Sequence, residues 1–218
     1  MKKGKILIVL GLLLVAAALG FILYHVWDAQ RAGKAAKAVL EQLAPQVAQA
    51  VEDAPVYSSA VLPEDFEDPE AWWAPPVEYP DYVLNPKMEL PAQEIDGNLY
   101  IGILSLPTLG QSFPIAATCS DADLRIAPCR YVGSPYLDNF VIAGRNYVTQ
   151  FGSLDALRIG DGVTFTDLDG NIFEYEVMEV TTLPANAVEE MTAGDWALTL
   201  FTCTVSRADR ITVRCRLK

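Results

Sequence analysis

Cys203 closes the run Thr199-Leu200-Phe201-Thr202-Cys203, a strand-like sequence that ends on a thiol and leads into the polar loop Ser206–Asp209. A strand end is a firm mount for a nucleophile, and the loop beyond it leaves room for a substrate. Arg210 opens the next strand of the hairpin. A guanidinium facing the sulfur would favour the thiolate and donate to the oxygen of a tetrahedral intermediate. The competing reading is an inert, buried cysteine, a common fate of free thiols. Cysteine chemistry near neutral pH usually borrows an imidazole, which keeps the sulfur ionised and then protonates the leaving group. The chain has a single histidine, His25, at the end of its apolar N-terminal segment. What stands near Cys203 in place of an imidazole decides how far the chemistry can go.

The elements that must position these residues begin near Ile95. Strand-like runs occur at Asn98–Ser105, Ser112–Ala116, Phe140–Ala143, Gly162–Thr166, Ile172–Thr181, Trp196–Phe201 and Arg210–Arg216, separated by turn signals such as Asp96-Gly97, Asp161-Gly162 and Asp169-Gly170-Asn171. Short helices fit Asp121–Ile126, Leu154–Leu157 and Ala185–Met191. Closely spaced strands with few helices predict a mostly β domain over residues 95–218, a small barrel or sandwich.

Ahead of that domain the chain divides into three segments. Residues 1–27 hold nineteen uncharged residues from Ile6 to Tyr24, preceded by Lys2, Lys3 and Lys5. At about 1.5 Å per residue this run spans roughly 28 Å, close to the hydrocarbon thickness of a bilayer. It is too long for the apolar core of an ordinary cleaved signal peptide, although Ala16, Ala17 and Ala18 offer a cleavage site. The basic flank before it and Asp28 after it orient the N-terminus to the cytoplasm and the remainder outside. Residues 28–51 read as a juxtamembrane helix, with Ala36, Val39, Leu40 and Leu43 at helical spacing up to Pro45. Residues 52–94 read as an acidic, proline-rich stalk in which Trp72, Trp73, Tyr79 and Tyr82 are more aromatic than a spacer needs. The formal charge of −12 is concentrated there: residues 41–95 carry twelve acids against Lys87 alone. Nothing supplies the basic footprint of a nucleic-acid partner.

Several motifs in order resemble the sortase family, the membrane-anchored cysteine transpeptidases of Gram-positive bacteria. Thr199 to Cys203 matches the family's Thr-Leu-x-Thr-Cys signature, and Arg210-Ile211-Thr212-Val213 matches the strand opened by its essential arginine. Tyr100-Ile101-Gly102-Ile103-Leu104 with Pro107 resembles its first barrel strand, and Ile126 to Tyr131 with Gly133-Ser134 resembles the helix and turn of class B-like members. The link from Thr181 to Trp196 is leaner than in typical class B enzymes, which leaves class B-like and class D-like both open. The resemblance implies an eight-stranded barrel and a Cys–His–Arg site. It also implies a sorting-signal peptide such as Leu-Pro-x-Thr-Gly as substrate, cut between Thr and Gly, and a cell-wall precursor or pilin amine as acceptor. Substrate contacts fall on Thr202, Asn146 and Ser134, and no cofactor or metal is implied.

One position departs from the family. Where members carry Ile-Ala-Gly-His-Asn, this chain reads Ile142-Ala143-Gly144-Arg145-Asn146. A guanidinium at 145 can favour a thiolate but has no readily transferable proton near pH 7. The expectation is a reactive Cys203 with impaired transpeptidation; the alternative is a degenerate relative that binds a peptide or partner without efficient turnover. Asp138, Tyr131 and Tyr147 are further groups able to approach the site, each with an ordinary surface or core role as the plainer reading. The four cysteines, Cys119, Cys129, Cys203 and Cys215, allow three complete pairings, among them Cys119–Cys129 and a Cys203–Cys215 bond that would block the nucleophile. Asp161, Asp167, Asp169 and Glu174 are acids at turns, with water rather than calcium as the plainer neighbour.

Overall fold

The computed structural model describes residues 2–54, 79–193, 195–204 and 206–218. Among these residues nine strands form one sheet: β1 (Gln93–Ile95), β2 (Asn98–Leu106), β3 (Gln111–Ala116), β4 (Cys129–Val132), β5 (Phe140–Gly144), β6 (Gly162–Asp167), β7 (Ile172–Pro184), β8 (Leu198–Cys203) and β9 (Asp209–Leu217). Their hydrogen-bonded order is β1-β2-β3-β4-β5-β8-β9-β7-β6, and β6 also pairs with β2. That last pairing closes β2 to β9 into an eight-stranded barrel, with β1 added outside the ring as a hairpin partner of β2. The barrel is mixed: β3–β4 and β5–β8 are parallel, and the other pairings are antiparallel.

Alternation along the strands sends side chains to two cores. Ile101, Leu104, Ile115, Phe140, Ile142, Phe165, Tyr175, Leu198, Leu200 and Val213 belong to the cluster that fills the barrel. Ile95, Tyr100, Ala116, Val141, Ala143 and Phe201 point the other way, into a second cluster. β5 and the first five residues of β8 are buried on both faces, which makes the pair that carries the site the best-fixed part of the sheet.

The second core is covered by a helix. The expected anchor and juxtamembrane segment are one element, α1 (Lys2–Asp53). Residues 8–24 are exposed, and the helix that contains them is long and apolar enough to cross a membrane. From Ala32 onward the helix lies on the barrel, burying Ala32, Ala36, Val39, Leu43 and Val47 at successive spacings of three and four. Val39 and Leu43 enter the second cluster directly. Gly33 permits the close approach: a Cβ there would stand 2.6 Å from Thr149 Cγ2. The helix passes through Pro45, where the expected helical spacing stopped, and ends at Asp53, two residues beyond the expected 28–51 segment. Proline inside a helix costs about 3 kcal/mol, and burial of Leu43 and Val47 on either side of it offsets that by about 1.5–3 kcal/mol each.

Of the stretch expected as a stalk, residues 55–78, with Trp72 and Trp73, lie outside the described residues. Tyr82, in the short α2 (Asp81–Leu84), is packed on the barrel, stacked on Tyr136 at 4.8 Å and tilted against Phe173 at 5.3 Å. Three further short elements differ from expectation. α3 is Asp121–Leu124, closed by a capping box from Ser120; α4 is Val188–Thr192, starting later than expected; and Leu154–Ala156 is a single 3-10 turn. The segment expected as helix through Tyr131 is strand from Cys129, because Cys129 and Arg130 pair with Ala143 and Ile142 of β5.

Candidate active site

Antiparallel pairing of β8 with β9 sets Cys203 directly opposite Arg210, at the end of the register that runs from Leu198↔Cys215. Paired residues project from the same face, so thiol and guanidinium share a side of the sheet. Cys203 is half-buried and carries no disulfide. The hairpin is closed by the Thr204 amide donating to the Asp209 carbonyl at 3.0 Å, and Arg207 takes a left-handed conformation, φ +60°, at its tip. Arg210 Nη1 donates to the carbonyls of Asp209 at 3.2 Å and Arg207 at 3.5 Å, so the guanidinium braces the same turn.

The parallel pairing of β5 with β8 runs from Phe140↔Leu198 to Gly144↔Thr202. One residue further, Arg145 follows Gly144 as Cys203 follows Thr202. Neighbouring strands are about 4.8 Å apart, and alternation gives Arg145 and Cys203 the face already used by Ala143 and Phe201. The backbone at 145 is tightly held. Its N–H donates to Gln150 Oε1 at 2.9 Å, and its carbonyl accepts from the Phe151 amide at 3.1 Å. Gln150 is fully buried and ties the loop to α3 by donating to the Leu124 carbonyl at 3.2 Å. The guanidinium reaches Asp121 at 3.7 Å and lies 5.9 Å from the Tyr147 ring centre, while its Nε is buried without a partner.

A model of the sortase domain matches residues 104–218, more than half of the chain and all of the strands that carry these side chains. This chain belongs to the sortase family. Among solved structures it is similar to the sortase D5 transpeptidase of Clostridium perfringens, at 25% identity and a TM-score of 0.51, covering 60% of this chain and 82% of the other. Sortase C of Streptococcus pneumoniae, at 23% identity and a TM-score of 0.50, covers 55% of this chain and 68% of its own. Sortase C1 of Streptococcus agalactiae, at 21% and 0.50, covers 57% and 70%. The last two share the fold. No relative among curated proteins matches the chain.

The other residues expected at the sortase site fall in different places. Thr202 is buried with its hydroxyl unpartnered, and alternation turns it toward the barrel interior, away from the face of Cys203. Asn146 is half-buried in the loop after Arg145. Ser134 is buried, and its hydroxyl accepts from the Tyr136 amide at 3.2 Å as the cap of a 3-10 turn. It also lines a groove of about 480 Å³ with Thr118, Arg130, Tyr131 and Leu137. Tyr131 stands edge-on to Phe201 at 5.3 Å, so the groove wall touches the face that carries Cys203.

Of the groups considered as a substitute for the imidazole, Tyr147 is a poor acid. Its phenol is pushed above the ordinary range by burial and by its hydrogen bond to Asp28, against the opposing pull of Arg145. Asp138 is exposed at a left-handed turn, φ +51°. Cys119 and Cys129 are bridged, which fastens the approach to α3 onto β4 and leaves Cys203 and Cys215 free. Cys215 is fully buried in the barrel, and burial pushes its thiol up to about 12. Asp167 is occupied by its own turn. It accepts from Tyr136 Oη at 2.7 Å, the amides of Asp169 and Asn171, and Asn171 Nδ2 at 2.9 Å. Sequence reasoning missed Asp121, Gln150 and the Tyr147–Asp28 pair. Gly33 in a helix interior was the one available signal of close approach, since glycine there is otherwise costly.

Proposed function

We propose that this chain is a membrane-tethered sortase of the class D-like kind, in which Cys203 opens the Thr–Gly bond of a Leu-Pro-x-Thr-Gly-like sorting signal and Arg145 limits turnover. The observation that carries this reading is the cross-strand pairing of Cys203 with Arg210. The 25% identity to the C. perfringens D5 transpeptidase, over most of that chain, supports the class.

In the first step the Cys203 thiol loses its proton to solvent, the sulfur bonds to the threonine carbonyl carbon, and the electron pair of the carbonyl moves to its oxygen. Arg210 is the group available to stabilise that oxyanion, an effect worth about 10²–10³ in rate for one donor. Collapse breaks the C–N bond, and the departing glycine amine must take up a proton. In the second step an incoming amine, on a cell-wall precursor or pilin, attacks the thioester, the C–S bond breaks, and the amine proton is lost to solvent. Proton delivery to the glycine amine is the weak point, because a guanidinium does not part with its proton near pH 7. A second reading, a peptide-binding relative without efficient turnover, is favoured by the same residue: Arg145 is engaged by Asp121 and Tyr147.

For location, α1 crosses the membrane once with its N-terminus in the cytoplasm. The Cys119–Cys129 bridge supports an extracytoplasmic barrel, since disulfides persist on that side. The test is intact-mass analysis after incubation with sorting-signal peptides. A thioester adduct on Cys203, absent in Cys203→Ala, is the expected result. No adduct with any such peptide, from a chain whose Cys203 is still alkylated by a small electrophile, leaves the binding reading in its place.

A further inference from the structure

The barrel is held to α1 at two levels, and the lower one is the loop that follows Arg145. Tyr147 Oη donates to Asp28 Oδ2 at 2.7 Å, and Thr149 Oγ1 donates to the Ala29 carbonyl at 3.1 Å. These helix residues lie one turn beyond Tyr24, where the bare apolar run ends. At the upper level the β6–β7 turn meets the helix at Ala50: Gly170 is left-handed, φ +83°, and a Cβ on it would touch the Ala50 backbone at 2.5 Å. From Asp28 to Ala50 the helix rises about 33 Å at about 1.5 Å per residue. The barrel is thus strapped along the helix with the C-terminal ends of β5 and β8 at the membrane end and the β6–β7 turn at the far end.

Val148 sits between the two strapped residues. Its carbonyl accepts from Gln111 Nε2 at 3.3 Å, which fixes the backbone, while its side chain is 78% exposed. An aliphatic side chain held out in this way, one turn from the end of a membrane-spanning run, has an apolar phase beside it. The neighbouring helix surface is built for the same interface. Tyr24 and Trp27 are exposed aromatics of the kind that settle at headgroup level, and Arg31 lies over the Trp27 ring at 5.6 Å. Arg31 and Lys34 follow as exposed bases on the same helix, with Lys37 one turn further on paired to Glu41 at 3.9 Å, and the first two suit anionic headgroups.

We propose that the 145–150 loop is a membrane-contact surface. Val148 enters the bilayer interface, and the site at Cys203 and Arg145 opens at headgroup height rather than into bulk solvent. The occupant of this surface is lipid, and the inference rests on the reading of α1 as a membrane anchor.

The experiment uses the full chain in vesicles of phosphatidylcholine and phosphatidylglycerol containing a nitroxide-labelled lipid as quencher. The background carries Cys203→Ser; Cys215 is buried and unreactive, and Cys119 and Cys129 are bridged. A fluorophore is placed by Leu14→Cys in the middle of the apolar run, by Val148→Cys in the loop, or by Ile172→Cys, an exposed position beside the distant turn. Quenching at 14 and 148 with none at 172 is the expected pattern. Quenching at 14 while 148 behaves like 172 overturns the contact surface and leaves the anchor standing. Loss of quenching at 14 overturns the anchor, and the inference with it.

Discussion

Exchanging Arg145 for histidine tests the link between a fixed charge and a missing proton. The fold should tolerate the change. The ion pair to Asp121 spans 3.7 Å with the aspartate side chain 94% exposed, a geometry worth about 0–1 kcal/mol. The contact with Tyr147 at 5.9 Å adds about 0.5–1 kcal/mol for a partly exposed site. Together they are small beside the 5–15 kcal/mol that holds a domain folded. The hydrogen bonds with Gln150 and Phe151 use only the backbone of residue 145, its N–H donating to Gln150 Oε1 and its carbonyl accepting from the Phe151 amide, and they survive the exchange. Position 145 follows the last paired residue of β5 as Cys203 follows that of β8, and at the roughly 4.8 Å spacing of adjacent strands an imidazole there is expected to come within reach of the thiol. General acid–base transfer contributes typically 10²–10⁴ in rate, or about 3–5 kcal/mol. A gain near the lower end, about 10²-fold, is expected because the loop around 145 is shaped for a longer side chain. The assay is release of the glycine-bearing fragment from a fluorogenic sorting peptide. Alkylation of Cys203 is measured in parallel and should change little. Arg145→His should also acquire an acid limb near the ordinary imidazole range, about 6.5, that the parent lacks. Equal and rapid turnover by parent and variant would refute the reasoning.

Arg210→Ala should lower thioester formation by about 10²–10³, and Arg210→Lys should restore little of it, because an ammonium lacks the planar fork; pre-steady-state adduct yield is the readout. Cys215 predicts an alkaline weakness. The unfolded thiol loses its proton near 9.0 while the folded one keeps it to about 12. The folded state binds more protons in that window, and stability falls by up to about 1.4 kcal/mol per pH unit as pH rises through it. Cys215→Ala should flatten that fall in urea melts at successive pH values, whatever its constant cavity cost. Tyr136→Phe removes one of the donors to Asp167 and should cost about 1.5–3 kcal/mol in the same melts, with alkylation of Cys203 unchanged. Reducing the Cys119–Cys129 bridge should cost about 2–3 kcal/mol by loop closure, read as a lower thermal midpoint.

The barrel was legible wherever a strand carries its own pattern. Gly162–Thr166 and Ile172–Thr181 alternate around Asp169-Gly170-Asn171, and the hairpin that pairs Cys203 with Arg210 is written in its own residues. β1 and β4 could not. Gln93-Glu94-Ile95 is too short to show a period, and Cys129-Arg130-Tyr131-Val132 is strand because β5 lies beside it, not because of its own residues. The same holds at the site. The approach of Arg145 to Cys203 depends on a parallel pairing between segments more than fifty residues apart. The bonds that Tyr147 and Thr149 donate to Asp28 and Ala29 cross about 120 positions and leave no local trace. Pro45 misled for a related reason: the proline penalty is a local quantity, and the burial that outweighs it comes from elsewhere in the chain.

The burial of Val39, Leu43 and Val47 has a practical consequence for anyone who trims this protein to make it soluble. A shortened chain that begins at the first strand discards the lid of its own outer core, and Ile95, Tyr100, Ala116 and Phe201 would meet water. Such a fragment should clump or bind detergent even though every strand is present. Detaching the hydrophobic tail cleanly means cutting between Tyr24 and Asp28 and keeping the rest of the rod.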